Sequence, residues 1–352
     1  VSARFLFKQA VLFLLLFSPA AVMAVATSSE LVIYTYDSFL AKDGLGAEIF
    51  PLFEKKCGCH VRAVAVGDGA QLLTRLQLDH ERGKLEAQIV LGLDQQIWDR
   101  ARPWTESWEK WQPLGYSRLS REFQIEKGFL PFDYSVFAFM ADRQALREAG
   151  LSVPRSLRDL LKPEWKRNFI FEDPRTSTPG LAFVLYSKMI FSDSPSFDQF
   201  WKALKGRWLT IAPGWDQAYG LFLKKEAPLV WSYTTSQAYH EEHGDSPDSP
   251  RYQAILFEEG QPLQIEGAAL VKGVSASPEK LRLAQSFLEF LISTEVQTRV
   301  PLKNWMLPVV KNTSLPKSFA HLPIPKKIIS IQKKSPESKE ILSRWRAIIQ
   351  SI

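Results

Sequence analysis

The chain has 352 residues, 45% hydrophobic and 23% charged, with a formal net charge of +6; these are ordinary globular values and exclude a collagenous or disordered polymer. Its length exceeds what one hydrophobic core normally organises, so two lobes are expected. The charge is segregated: nine Lys and Arg against two Glu put +7 in residues 311–352, Arg4 and Lys8 add two more, and residues 25–310 are left at −3. A mildly acidic body draws in neither nucleic acid nor an anionic ligand by bulk charge, and it suits a cation.

The first segment, "VSARFLFKQAVLFLLLFSPAAVMAVA", has basic Arg4 and Lys8, an apolar run over 10–17, and small residues at Ala-x-Ala spacing ending at Ala24 and Ala26. That is the pattern of a secretory signal over residues 1–26, cleaved after either alanine. A membrane anchor would need about 20 unbroken apolar residues, and Pro19 interrupts this run. "ELVIYTYDSF" then predicts a buried strand over 31–36, "GAEIFPLFEKK" a helix and "HVRAVAVG" a second strand. Asp68 is placed to cap the helix "AQLLTRLQLDHERG", with Gln71 at the capping-box position and Leu72, Leu73 and Leu76 on one face. "AQIVLGLD" predicts a third strand over 88–93. This βαβαβ order implies an α/β fold with a parallel, right-handed sheet. Ligands of such sheets bind beyond the carboxyl ends of the strands, here 36–38, 67–69 and Asp94. The two cysteines, Cys57 and Cys59, fall between helix and strand. In an oxidising compartment they would close a small disulfide ring. As metal ligands they have adjacent His60 but no companions at zinc spacing, so a structural use and no metal site are expected.

"FLPFDYSVFAFMAD" is a β-rich crossover into a second block over 134–257, which holds "FIFEDP", a helix after "TSTPG", "WLTIA", the helix "DQAYGLFLKKE" and "APLVWSY". "QPLQIEGAALVKG" is a second crossover, followed by the amphipathic helix "PEKLRLAQSFLEFLIS". Two crossovers between two α/β blocks predict a hinged body. Its first lobe spans 27–132 and 262–310, its second 133–261, and a basic tail covers 311–352. The tail carries Pro316, Pro323, Pro325 and Pro336, and ends in a helix whose stripe of Ile341, Leu342, Trp345, Ile348, Ile349 and Ile352 is expected to dock on the body.

Four places could carry chemistry. Thr178 reads as the cap of a helix with Pro179 at its first position, and such an N-terminus accepts phosphate or carboxylate; Ser177 precedes it. Trp215 stands before a helix that Asp216 is placed to cap, with core packing as the competing reading of the indole. Asp68 caps a helix and also presents a carboxylate at a strand end. Finally, "LVWSYTTSQAYH" puts Tyr233, Thr234, Thr235 and Ser236 in succession after an apolar strand. A plain turn favours Gly, Asn, Asp or Pro, and none occurs over 230–239. With Tyr36, these residues bring aromatic faces, a carboxylate and hydroxyls to one set of element ends, which suits an organic heteroaromatic cation.

The motifs "YTYDSF", "DPRTSTPGL", "GWDQAYGLFLK", "SYTTSQAYH" and "NWMLPV", in that order over residues 30–308, closely resemble the periplasmic thiamine-binding proteins of bacterial ABC importers. The resemblance implies the type II periplasmic binding protein fold, with two lobes, two hinge crossovers and a ligand cleft between the lobes. It implies a periplasmic receptor, expected as a monomer, that captures thiamine, thiamine monophosphate or thiamine diphosphate and delivers it to the ABC transporter permease, with no cofactor, metal or nucleic acid. The same resemblance places Asp68 and Gly69 on the ligand from the first lobe, and Ser177, Thr178, Trp215, Tyr233, Thr234, Thr235 and Ser236 from the second, with Tyr36 nearby. One departure is "AKDG", where Asp43 stands in place of a Trp of the relatives. An aromatic wall is lost if that indole stacks on the ligand, and Asp43 reads as a solvated loop carboxylate, with a contact to the thiazolium as the competing reading. A thiamine-degrading enzyme of the same fold would need a nucleophile and a base; the thiols are confined to "CGC", and the site motifs contain only His240. An iron receptor would cluster Tyr with His or carboxylates, a polyamine receptor several acids around aromatics, and neither pattern is evident.

Overall fold

The structure is a computed structural model that describes residues 29–108, 111–331 and 335–351. The expected signal over 1–26 and Ile352 of the tail stripe lie outside these residues. The strands are β1 (Glu30–Thr35), β2 (His60–Ala65), β3 (Ile89–Asp94), β4 (Leu130–Asp142), β5 (Phe169–Glu172), β6 (Trp208–Ala212), β7 (Leu229–Tyr233), β8 (Tyr252–Ile255), β9 (Gln261–Leu270), β10 (Leu307–Pro308) and β11 (Ile328–Ile329). They form one sheet in the order β2-β1-β3-β9-β4-β7-β5-β6, with β8 and β10 on β4 and β11 on β9.

Two parallel blocks are joined by long antiparallel strands. In the first half β1 pairs with β2 and β3 in parallel, through crossover helices Leu45–Cys57 and Gly69–Glu81. In the second β5 pairs in parallel with β6 and β7, through helices Thr178–Ile190, Ser194–Leu204 and Trp215–Leu223. β4 belongs to both: residues 130–136 pair with β9, and 137–141 with β7. β3 and β4 lie under helices and bury nearly every residue, so their sequences read as apolar runs rather than alternating ones.

Three local expectations shift. The capping box of Asp68 and Gln71 forms as expected. At the helix Thr178–Ile190 Ser177, not Thr178, is the cap: its hydroxyl accepts the Gly180 N–H at 3.4 Å, and Pro179 moves to the second helical position. Proline is tolerated anywhere in the first turn, where its missing N–H has no partner to lose, so it does not discriminate between the two registers. Gly214, in extended backbone, caps Trp215–Leu223, leaving Asp216 in the first turn rather than at the cap. There its charge still faces the positive end of the helix. The final helix, Ser335–Gln350, begins earlier than its apolar stripe. It packs on the second half with Trp345, 2% exposed, edge-on to Trp201 at 5.8 Å, and Arg344 paired to both carboxylate oxygens of Asp198. Cys57 and Cys59 are disulfide-bonded. No helix among the described residues is long and apolar enough to cross a membrane.

Candidate functional site

A cavity of about 750 Å³ opens at the carboxyl ends of the strands, between the two halves of the sheet. Tyr36 follows β1, Gly67, Asp68 and Gly69 follow β2, and Tyr233 ends β7; all line it. Glycine at 92 makes room on the β3 side. Its φ of +101° is unfavourable for a side chain, and a Cβ there would come within 2.1 Å of the Tyr36 ring edge.

The second half contributes an aromatic wall. Trp215 stacks on Tyr219 at 4.9 Å and lies 6.3 Å from Tyr233. Tyr239, on the helix Ser236–Glu242, meets Trp305 edge-on at 5.0 Å. Hydroxyls at the end of β7 and just beyond it hold this wall in place. The indole N–H of Trp215 donates to Ser232 Oγ at 2.9 Å, and Ser232 shares a 2.9 Å hydrogen bond with Ser236. Tyr233 is itself 8% exposed and stacked on Phe137 at 4.9 Å, with its hydroxyl donating to Gln264 at 3.3 Å. The ring is therefore buried packing and cavity wall at once.

Asp68 ties the two halves together. Its Oδ1 accepts the Gly69 N–H at 2.6 Å and the Thr178 N–H at 3.4 Å; its Oδ2 accepts the Ser177 hydroxyl at 2.8 Å and the Trp215 N–H at 3.2 Å. Three helix N-termini thus point at one carboxylate, the arrangement that stabilises an anion. Burial nevertheless outweighs these bonds and raises its pKa. Gly69 is close-packed across the cleft: a Cβ would come within 2.8 Å of the Thr178 methyl.

The cavity is acidic. Asp37, Asp43, Asp68, Asp216 and Glu266 line it, whereas Lys303 is held by Glu48 at 2.7 Å. Burial, reinforced by Asp94 and Asp68, pushes Glu266 up to about 8, against bonds from Tyr36 and Gln264. Burial also takes Asp94 up to about 7 and holds Asp133 and Glu172 well above the carboxylate range. Such groups lack a counter-charge.

Of the residues singled out in the sequence, Tyr36, Asp68, Gly69, Thr178, Trp215, Tyr233 and Ser236 line the cavity, as does Asp43. Ser177, Thr234 and Thr235 do not. Ser177 stands behind Asp68, Thr235 is turned inward to Ser135 at 2.9 Å, and Thr234 is 4% exposed, its N–H donated to Val136. His240 also lies off the cavity. It is stacked on Tyr252 at 3.8 Å and bonded to Tyr219, and burial lowers its pKa to about 4. Sequence reasoning missed Glu266, Tyr219, Tyr239, His243 and the Asn304–Trp305 pair as lining residues. The "NWM" motif was the available signal, since Trp305 adopts a φ of +54° that is unusual for tryptophan. The described residues hold no group of three or more His, Cys, Asp or Glu that could bind a metal.

Two parallel α/β blocks joined by long antiparallel strands, with a ring-walled cavity at their facing strand ends, define a two-lobed solute-binding protein. The family described as bacterial extracellular solute-binding protein matches residues 116–328. The thiamine-binding periplasmic protein of Brucella abortus biovar 1 (strain 9-941) is 39% identical over 326 residues, 90% of this chain and 92% of the relative. That of Escherichia coli (strain K12) is 40% identical over 303 residues, 84% and 85% of the two chains. The solved structure of a periplasmic thiamin binding protein superposes with a TM-score of 0.81 at 35% identity, covering 92% of this chain and 97% of that one. The chain belongs to the periplasmic thiamine-binding protein family. It is accordingly a periplasmic solute receptor of an ABC importer.

Proposed function

We propose that the protein captures thiamine and hands it to the membrane permease of its importer, acting as a monomer and without turning the ligand over. The observation that carries this reading is a cavity walled by Tyr36, Trp215, Tyr233 and Trp305 and lined by carboxylates. A thiazolium placed there gains cation–π attraction of about 0.5–2 kcal/mol per ring, together with the field of the acids. Asp43 adds to that field where relatives offer an indole. Asp68 supplies an acceptor for the aminopyrimidine. The positive ends of the helices that converge on Asp68 favour the phosphate of thiamine monophosphate and diphosphate, which we include among the ligands. In this reading Tyr36, Asp68, Gly69, Thr178, Trp215, Tyr233 and Ser236 face the ligand, while Ser177, Thr234 and Thr235 support them from behind. The lobes are residues 27–132 with 262–310, and 133–261, with a signal peptide over 1–26. Titration of ligand-stripped protein with the three thiamine forms tests the proposal. Submicromolar dissociation of thiamine, about −8 kcal/mol or tighter, is expected. No heat and no fluorescence change with any form would overturn it.

A further inference from the structure

Glu266 sits in a row of carboxylates that crosses the sheet. On β9 it is in register with Asp94 of β3 on one side and Asp133 of β4 on the other. Asp94 and Asp133 are fully buried; Oδ1 of Asp133 has no hydrogen-bond partner among the described residues, and Asp94 meets only the neutral Thr178 hydroxyl and the Gln96 and Ile97 N–H groups. Glu266 opens onto the cavity.

Among the described residues, the groups bonded to or charged beside this row are neutral or acidic. Tyr36 donates its hydroxyl to Glu266 Oε2 at 2.9 Å, and Gln264, on the same strand, donates to Oε1 at 2.7 Å. Asn304 donates to Asp133 at 2.6 Å and to the Tyr36 oxygen at 2.8 Å. Tyr233 approaches from β7 through Gln264, and Asp68 adds its charge from the helix N-terminus. The cation of the cavity lining, Lys303, is ion-paired to Glu48 instead. Removing several like charges from water with no counter-ion is costly enough that carboxyls keep their protons rather than ionise.

We propose that Glu266, backed by Asp94 and Asp133, is the counter-ion of the ligand site, and that a cationic ligand is taken up in exchange for a proton. The inference rests on the thiamine reading above and adds to it a determinant of charge selectivity. In the ligand-free cleft the Glu266 carboxyl holds the proton. When a heteroaromatic cation settles on the rings, its charge compensates the carboxylate, the O–H bond breaks and the proton leaves to solvent. The O–H bonding pair stays on the carboxylate oxygen, nothing is oxidised or reduced, and no other reactant is needed. An uncharged analogue of the same shape gains nothing from the row and releases no proton.

Calorimetry of thiamine binding to the ligand-stripped full chain, in phosphate and in Tris, reads the exchange because the two buffers differ in ionisation enthalpy. Near pH 7 a release approaching one proton is expected. It should fade above the value of about 8 to which burial raises Glu266. Linkage then tightens Kd by up to about tenfold per pH unit between pH 6 and 8. These arms need no variant. Glu266→Gln should weaken binding, abolish most of the release and flatten the pH profile; Asp133→Asn should reduce the release. Binding with identical heats in both buffers, or a release that survives in Glu266→Gln, overturns the exchange while leaving the thiamine reading intact. Absence of any thiamine binding overturns that reading, and the exchange with it.

Discussion

Tyr233 shows how one residue serves two ends. Its ring faces the cavity but is 8% exposed and stacked on Phe137, so truncation removes core as well as binding surface. Tyr233→Ala should weaken thiamine binding by about 1–2 kcal/mol through the lost ring face and also cost about 3 kcal/mol of stability, as for other buried aromatic truncations. Tyr233→Phe should keep most of both, losing only the bond to Gln264. Calorimetric titration beside thermal melts separates the two effects. A Tyr233→Ala variant that melts lower yet binds as tightly as wild type would make the ring purely structural.

Elements beyond the cavity explain why the chain runs on past residue 310. Pairing of β11 with β9 brings the tail to the start of a strand shared by the two halves, and the final helix clamps the second half through Trp345 and Trp201. Trp345 is 2% exposed, so Trp345→Ala should cost about 3–5 kcal/mol of local packing. Limited proteolysis should then release the C-terminal helix, while thiamine affinity stays within twofold because no residue of that helix lines the cavity. Equal proteolytic resistance of the variant and wild type would show that the helix is held by something other than this indole. The tail is basic, but its final helix is positioned by an apolar stripe and the Arg344–Asp198 pair.

For the whole molecule, the two halves communicate through β4, β9 and the bonds of Asp68 to the opposite side. Long shared strands are expected to bend as hinges with each parallel block moving as a unit. Small-angle scattering should give a smaller radius of gyration once thiamine saturates the protein. An unchanged profile at saturation would indicate a fixed pocket.

How much of this was legible in the sequence follows from which signals are local. Capping of the Gly69–Glu81 helix, the βαβαβ order and the buried strands depend on neighbours a few residues apart, so the two parallel blocks and the strand-end positions of Tyr36, Asp68, Trp215 and Tyr233 could be read directly. The inward turn of Thr235 to Ser135 could not, because its partner lies a hundred residues away. Nor could the row of Asp94, Glu266 and Asp133, which exists through the register of three strands distant in sequence. Side chains alternate across a strand, and a slip of one residue would turn Glu266 to the other face. Local patterning determined the two α/β blocks and placed the rings of Tyr36, Trp215 and Tyr233 at the cavity, while Tyr219, Tyr239 and Trp305 joined them only through the tertiary structure. Tertiary pairing alone decided which carboxylates stand together without a counter-ion, and hence where a cation finds its charge.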